Sequence, residues 1–285
     1  MYKIGGGIHM SNLTISRLSP RLDLKPFIKD IWIFESNGML SEDEMRIIAP
    51  NGSVKLMMHY EGHLAGRIDG HSFPVPEHRL IVAGVSDCPV IADFDQGKPF
   101  GCICFELNPA AAYRLLTVPQ HELRNVILPF GDIIDTSAIR ILEEQMYVAS
   151  DPVHKSVLFQ DYFSVALTRT QRDTTFEQGV FAIINASGRI SMASLSQQTG
   201  RSDRWLRAKF AERLGIGPKT FASIVRFQSC FQALLQDKHS FLQGGAFIDH
   251  YYDQAHFIKE FKRFMGYPPT KYTSLHNEVG EIIYF

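Results

Sequence analysis

The sequence predicts an α+β chain: an N-terminal β-rich domain, a cupin-like barrel or a sandwich, followed by an all-α C-terminal domain with two helix-turn-helix units. Three observations predict it. Short apolar runs separated by turn residues fill the first part of the chain. The spacing of apolar residues then becomes helical. Finally, an apolar stripe containing phenylalanine, followed by glycine and proline, occurs twice beyond residue 200.

The strand runs are DIWIFES (30–36), SVKLMMHY (53–60), RLIVAGV (79–85) and FGCICFEL (100–107). Each is rich in β-branched and aromatic residues and bounded by Gly, Pro, Asp or Asn. EGHLAGRIDG and FDQGKP read as the turns between them. NPAAAYRLLTV reads as a helix, with Asn108 as N-cap and Pro109 at the first position. Ile139, Leu142 and Met146, then Leu158, Tyr162 and Val165, recur at helical spacing on either side of Asp151-Pro152. RTQRDTT (169–175) is polar and reads as a domain boundary.

With 45% hydrophobic and 21% charged residues, the chain reads as ordered and globular rather than disordered. No apolar run approaches the ~20 residues of a membrane span. MYKIGGGIHM lacks the apolar core of a signal peptide and reads as a loose leader. The four cysteines form no CxxC pair; Cys102 and Cys104 read as buried free thiols on one strand face, in keeping with a reducing cytoplasm.

The net charge of −1 conceals an asymmetry. Residues 176–275 hold thirteen Lys and Arg against seven Asp and Glu, a difference of +6; residues 1–175 hold sixteen against twenty-one, or −5; Glu278 and Glu281 complete the sum. A basic third beside an acidic remainder fits a module that binds a polyanion.

In residues 190–214, Gly200 can take the left-handed conformation of a tight turn and Ser202 can cap the next helix. That helix puts Leu206, Phe210 and Leu214 on one stripe. Its other side carries Arg204 and Arg207, and arginine can donate two bonds to guanine in the major groove. Lys209 and Arg213 are placed to reach phosphates. A long helix opened by Pro218 follows. Then Asp253 caps a second such helix, with Phe257, Phe261 and Phe264 inside, Lys259, Lys262 and Arg263 outside, and Gly266 at its end. RAKFAERLGIGPKTF and IKEFKRFMGYPPTKY align as two copies of one unit.

This region, residues 176–275, resembles the DNA-binding domain of the AraC/XylS family of transcription regulators; YYDQAHFIKEFKRFMGYPPTKY carries the likeness most strongly. The resemblance implies two recognition helices entering successive major-groove segments. By position, the first offers Ser202, Asp203, Arg204 and Arg207, and the second Gln254, Ala255, His256 and Lys259. The chain departs from the family pattern at Thr199 and Arg201, where apolar residues are usual. It also departs at Gly244, Gly245 and His250 in the second unit. Two glycines inside a helix cost ~1 kcal/mol each relative to alanine.

The segment from Ile15 to Ile134 resembles the N-terminal sensor domains of some AraC-like regulators, through IWIFES, IIAPNGSVKLMMHY, IVAGVSDCPV and CICFELNPAAAYRLLTVP. The resemblance implies effector binding, dimerisation or both. Trp32, Glu35 and Glu106 are the effector-site candidates. The two carboxylates lie on apolar strands, where burial demands a partner, with Arg46, Arg67 and Arg79 available. His59, His63, His71 and His78 lack the spacing of a metal site. No phosphate loop, nucleophile elbow or HExxH motif occurs.

The chain thus divides into a β-rich sensor domain (11–135), a helical connector and dimer contact (136–172), a double helix-turn-helix domain (173–275) and a tail (276–285). The reading is a cytoplasmic, homodimeric, sequence-specific transcription regulator, not an enzyme, with no cofactor, metal or membrane association. Its partners are double-stranded DNA, a small-molecule effector and RNA polymerase. A second reading stays open: a small-molecule-binding or dimerising protein whose helix-turn-helix domain is a degenerate protein-interaction module.

Overall fold

The computed structural model describes residues 4–9, 13–37, 45–94, 98–116, 118–134, 136–168, 170–236 and 251–282. Eleven strands among these form two antiparallel sheets. The larger sheet runs β1 (Ile4–His9), β2 (Leu13–Leu18), β3 (Ile28–Ser36), β10 (Phe100–Leu107), β5 (Lys55–Glu61), β8 (Ile81–Ala83) and β11 (Ile127–Pro129). The smaller runs β4 (Ile47–Ile48), β9 (Val90–Phe94), β6 (Leu64–Ile68) and β7 (His71–Val75). This is the β-rich half that the strand runs predict.

β10 lies at the centre, flanked by β3 and β5, and every one of its residues is buried. Its two faces explain why. Ile103 and Phe105 share one core with Ile31, Ile33, Leu56 and Met58. Cys102 turns the other way, towards Leu64, Ile81 and Phe100, and Cys104 packs on Trp32. Burial pushes the Cys104 thiol up to about 12, so it is an inert core group, as the sequence suggests.

Helices α1 (Thr136–Val148) and α2 (Pro152–Leu167) cover the outer face of the larger sheet. Ile139, Leu142, Met146, Phe159 and Phe163 enter the same core as Ile103, and Phe159 stacks on Phe105 at 3.8 Å. Asp151 caps α2, accepting from the His154 N–H at 2.9 Å, with Pro152 at its first position. Lys155 is buried and donates to the Met146 and Ala149 carbonyls at the end of α1. The opposite side of this helical pair leaves Ile141, Tyr147, Val148 and Val165 exposed.

Four local expectations are corrected. EGHLAGRIDG is not only a turn: it contains β6, and β7 follows at once. Its glycines and histidine mask the strand, and a β-carbon at Gly66 would press on the tip of the Ile127 side chain. Gly5–Gly7 belong to β1, which pairs with β2. NPAAAYRLL forms a turn and a short 3-10 segment, Ala112–Arg114, instead of a helix. The Asn108 side chain still accepts, from the Ala110 N–H at 3.0 Å, but Ala110 and Tyr113 turn into a core shared with the C-terminal domain. FDQGKP is entered by β9, which ends at Phe94.

β7 and β11 lie side by side where the two sheets meet, but each ends its own sheet. Pro74 in β7 and Pro129 in β11 lack the N–H that a ladder needs.

The C-terminal domain contains α3 (Thr174–Asn185), α4 (Met192–Thr199), α5 (Asp203–Leu214), α6 (Pro218–Gln236), α7 (Gln254–Met265), α8 (Pro269–Tyr272) and α9 (Glu278–Ile282). It does not stand apart. Ile47, Ala49, Val85, Ala110 and Tyr113 of the β-rich domain join Phe176, Phe210, Phe221 and Phe264 in one apolar cluster.

Candidate nucleic-acid interface

The two units start and end alike. Ser202 precedes α5 and its hydroxyl accepts from the Trp205 N–H at 3.2 Å; Asp253 precedes α7 and its carboxylate accepts from the His256 N–H at 2.7 Å. Each helix stops at a left-handed glycine, Gly215 with φ +89° and Gly266 with φ +80°. Gly200 makes the turn between α4 and α5 with φ +66°. A residue with a β-carbon adopts this conformation only at a cost, so the glycines set where each helix ends.

The inner stripes are those the spacing predicts. Leu206, Phe210 and Leu214 are buried, as are Phe257, Phe261 and Phe264. The long helix α6 joins the units. Its buried side is Phe221, Ile224, Phe227, Cys230, Phe231 and Leu234. Val225, Gln228 and Leu235 on the same helix are half-buried flanks. Arg226 on α6 braces α7, with both Glu260 oxygens within 2.9 Å.

The outer faces hold most of the candidate contacts. Ser202, Asp203, Arg204 and Arg207 are exposed together on the first turns of α5. Arg207 pairs with Asp203 at 3.0 Å, both about half-exposed. An exposed pair of this kind is worth under ~1 kcal/mol, so Arg207 can leave it for a base at little cost. Gln254, Ala255, His256, Lys259 and Lys262 are exposed together on α7. Lys209 pairs with Glu212 at 2.8 Å.

Two of the named cations face elsewhere. Arg213 lies over the Tyr113 ring at 4.6 Å and is 3.3 Å from Asp173, so it packs against the β-rich domain instead of joining the outer face. Arg263 reaches Asp87 of the β-rich domain at 2.8 Å. Asp87 is buried and also accepts from Arg124 and Asn125. Burial alone would raise its carboxyl, but the bonds from Arg124 and Asn125 and the arginine charges hold it below the usual range. Gly244, Gly245 and His250 lie outside the described residues.

The effector candidates separate. Trp32 is buried and its indole Nε1 has no hydrogen-bond partner. It lines a cavity of about 400 Å³ between the β-rich domain and α6, with Asp30, Asn51, Asn108, Gln228 and Gln232 among the other walls. Glu106 is buried beside this cavity and accepts from Lys29 and Asn51, each at 2.8 Å. Glu35 is on the exposed side and accepts from the Tyr60 hydroxyl at 3.0 Å. None of the three arginines read as partners serves: Arg46 and Arg67 approach Asp93, and Arg79 pairs with Glu143. Lys29 and Asn51 are local to the strand ends that bring them there, and no spacing rule marks them.

His59 is buried, which holds its imidazole below the ordinary range, and its Nδ1 is unpartnered. Among the described residues no three His, Cys, Asp or Glu side chains are grouped to hold a metal ion. No helix among them is long and apolar enough to cross a membrane.

Residues 195–274 match a family described as a helix-turn-helix domain, and residues 16–129 match one described as a domain of unknown function, DUF6597. No curated relative matches the chain. Among solved structures, apo ToxT from Vibrio cholerae is similar over 87% of this chain and 98% of its own, with 11% identity and a TM-score of 0.49. Wild-type ToxT bound to an unsaturated fatty acid covers 86% and 94%, with 10% identity and a TM-score of 0.48. The cupin domain of an XRE family transcriptional regulator from Enterobacter cloacae is similar over 35% of this chain and 99% of its own, with 15% identity and a TM-score of 0.28. Residues 195–274 thus form an AraC-type helix-turn-helix domain, built as two like-capped units joined by α6.

Proposed function

We propose that the chain is a cytoplasmic homodimer that binds a specific duplex and answers to a small molecule. The observation that supports it most is the pair of exposed faces: Ser202, Asp203, Arg204 and Arg207 on α5, and Gln254, Ala255, His256 and Lys259 on α7. Each stands on the opening turns of a helix whose far side is locked into the core, the arrangement that reads base edges. Lys209 and Lys262 flank these faces as phosphate contacts. The exposed Ile141, Tyr147, Val148 and Val165 on the connector supply an apolar dimer contact. RNA polymerase is a further partner of such a regulator.

The effector site is the cavity between the β-rich domain and α6. Its walls carry four amide side chains, the Asp30 carboxylate and the cations Arg17 and Lys29, and the unpartnered Trp32 Nε1 beside it favours a ligand with a hydrogen-bond acceptor. Walls from both domains let such a ligand favour one arrangement of the two over another.

Selection of bound duplexes from a random pool, followed by affinity at several salt concentrations, tests the regulator reading. An enriched motif that keeps its advantage at physiological salt is the expected result. Salt-sensitive binding with no enriched motif would mean that the domain only neutralises phosphates, and would bring forward the degenerate interaction module.

A further inference from the structure

Past the second unit, the chain turns back onto the β-rich domain. The Met45 N–H donates to the His276 carbonyl at 2.9 Å. Asn277 is buried and makes a paired contact with Ile47: its Oδ1 accepts from the Ile47 N–H at 2.6 Å and its Nδ2 donates to the Ile47 carbonyl at 3.0 Å. β4 is an outer strand, so this one amide side chain takes the place of a neighbouring strand. Gly280 sits so close that a β-carbon there would overlap the Ile47 carbonyl oxygen. Val279 is buried among Leu13, Ile15, Trp32 and Cys104. The segment is tied in turn to the second unit, because Asn277 Nδ2 also donates to the Tyr272 hydroxyl, which donates to Glu281.

We propose that residues 276–282 are a clasp. The edge of β4 and the apolar ground around Trp32 form a docking surface whose occupant is the chain's own C-terminal segment. The docked clasp holds the second helix-turn-helix unit against the β-rich domain, with Arg263 turned to Asp87 instead of to a phosphate. An intramolecular occupant needs little intrinsic affinity, because its effective concentration is high. Opening the clasp frees Arg263, so the docked and DNA-bound states compete for one cation. Only this second half rests on the DNA-binding reading.

Gly280→Ala tests it in the full chain. Alanine favours α9 as a helix but cannot approach Ile47. Asn277→Ala, which removes the paired bonds without crowding, is the second variant. Amide exchange at Met45 and Ile47 should rise at least about tenfold, while Ile103 and Phe105 in β10 keep their protection. Unchanged exchange at Met45 and Ile47 in both variants would overturn the clasp. Titration of a random-sequence duplex against salt reads the other half. The variants should bind several-fold more tightly at low salt, with a salt slope steeper by about one phosphate. Faster exchange with an unchanged slope would sink the role given to Arg263. If neither wild type nor variant binds the duplex, the DNA reading itself falls, and the exchange result still decides the clasp.

Discussion

The two helix-turn-helix units are capped alike, carry apolar stripes at matching positions and each end at a left-handed glycine, yet they meet the β-rich domain in different ways. The first is packed onto it. Gly215 presses on Val85 and on the Gln120 carbonyl, and Arg213 lies flat on Tyr113. The second shares the same apolar cluster through Phe264 and adds polar links, Arg263 to Asp87 and Asn277 to Ile47. Packing is indifferent to salt and pH, whereas an ion pair responds to both. Through Arg263 and Asp87 the second unit carries the contact that salt and acid should weaken.

The terminal glycines give the largest expected effect. At Gly215 a β-carbon would stand 2.7 Å from the Gln120 carbonyl oxygen, on a left-handed backbone; at Gly266 the nearest atom is Pro89 Cγ at 3.8 Å. Backbone strain alone costs ~1 kcal/mol, and the added clash takes the cost of Gly215→Ala to ~3 kcal/mol. Urea denaturation of the two variants measures the difference. Equal losses would mean that the first unit is no more tightly packed than the second.

Arg207→Ala and Lys259→Ala come next. In the proposed interface Arg207 makes the bidentate base contact, so its loss should cost ~1–3 kcal/mol of specific binding and relax the motif at one position. Lys259→Ala should weaken all duplexes alike and lower the salt slope by about one. Mobility shifts over a salt series separate them, and matching losses would end that division of labour.

The smallest effect is on pH. Because the Asp87 carboxyl lies below its ordinary range, its contribution is fully present above the unfolded value of about 3.9 and fades as pH falls through the folded one. The tie to Arg263 should hold at about pH 5 and weaken only below about pH 4. Asp87→Asn should abolish that acid-dependent step in native-state exchange of α7. A step that persists would place the titrating group elsewhere.

What the sequence made legible follows from range. Ser202, Gly200, Gly215, Asp253 and Gly266 act on their immediate neighbours, and periodicity carried Phe257, Phe261 and Phe264 inward. β3, β5 and β10 declared themselves by composition. β6 did not, because Gly66 answers to Ile127 on another strand. The exposed faces of α5 and α7 were legible as the far sides of the stripes. The partners of Glu106, the buried Asp87 and the Asn277–Ile47 pair were not. Each depends on residues brought together by chain closure, and a lone Asp or Asn carries no mark of it.

The seam between β7 and β11 has its own consequence. With Pro74 on one side and Pro129 on the other, the two strands abut by side chains alone. A barrel closed all round by hydrogen bonds has a set girth. Here the two sheets can part along this seam without breaking a ladder, so swelling between them would be taken up there and leave β3, β10 and β5 in register.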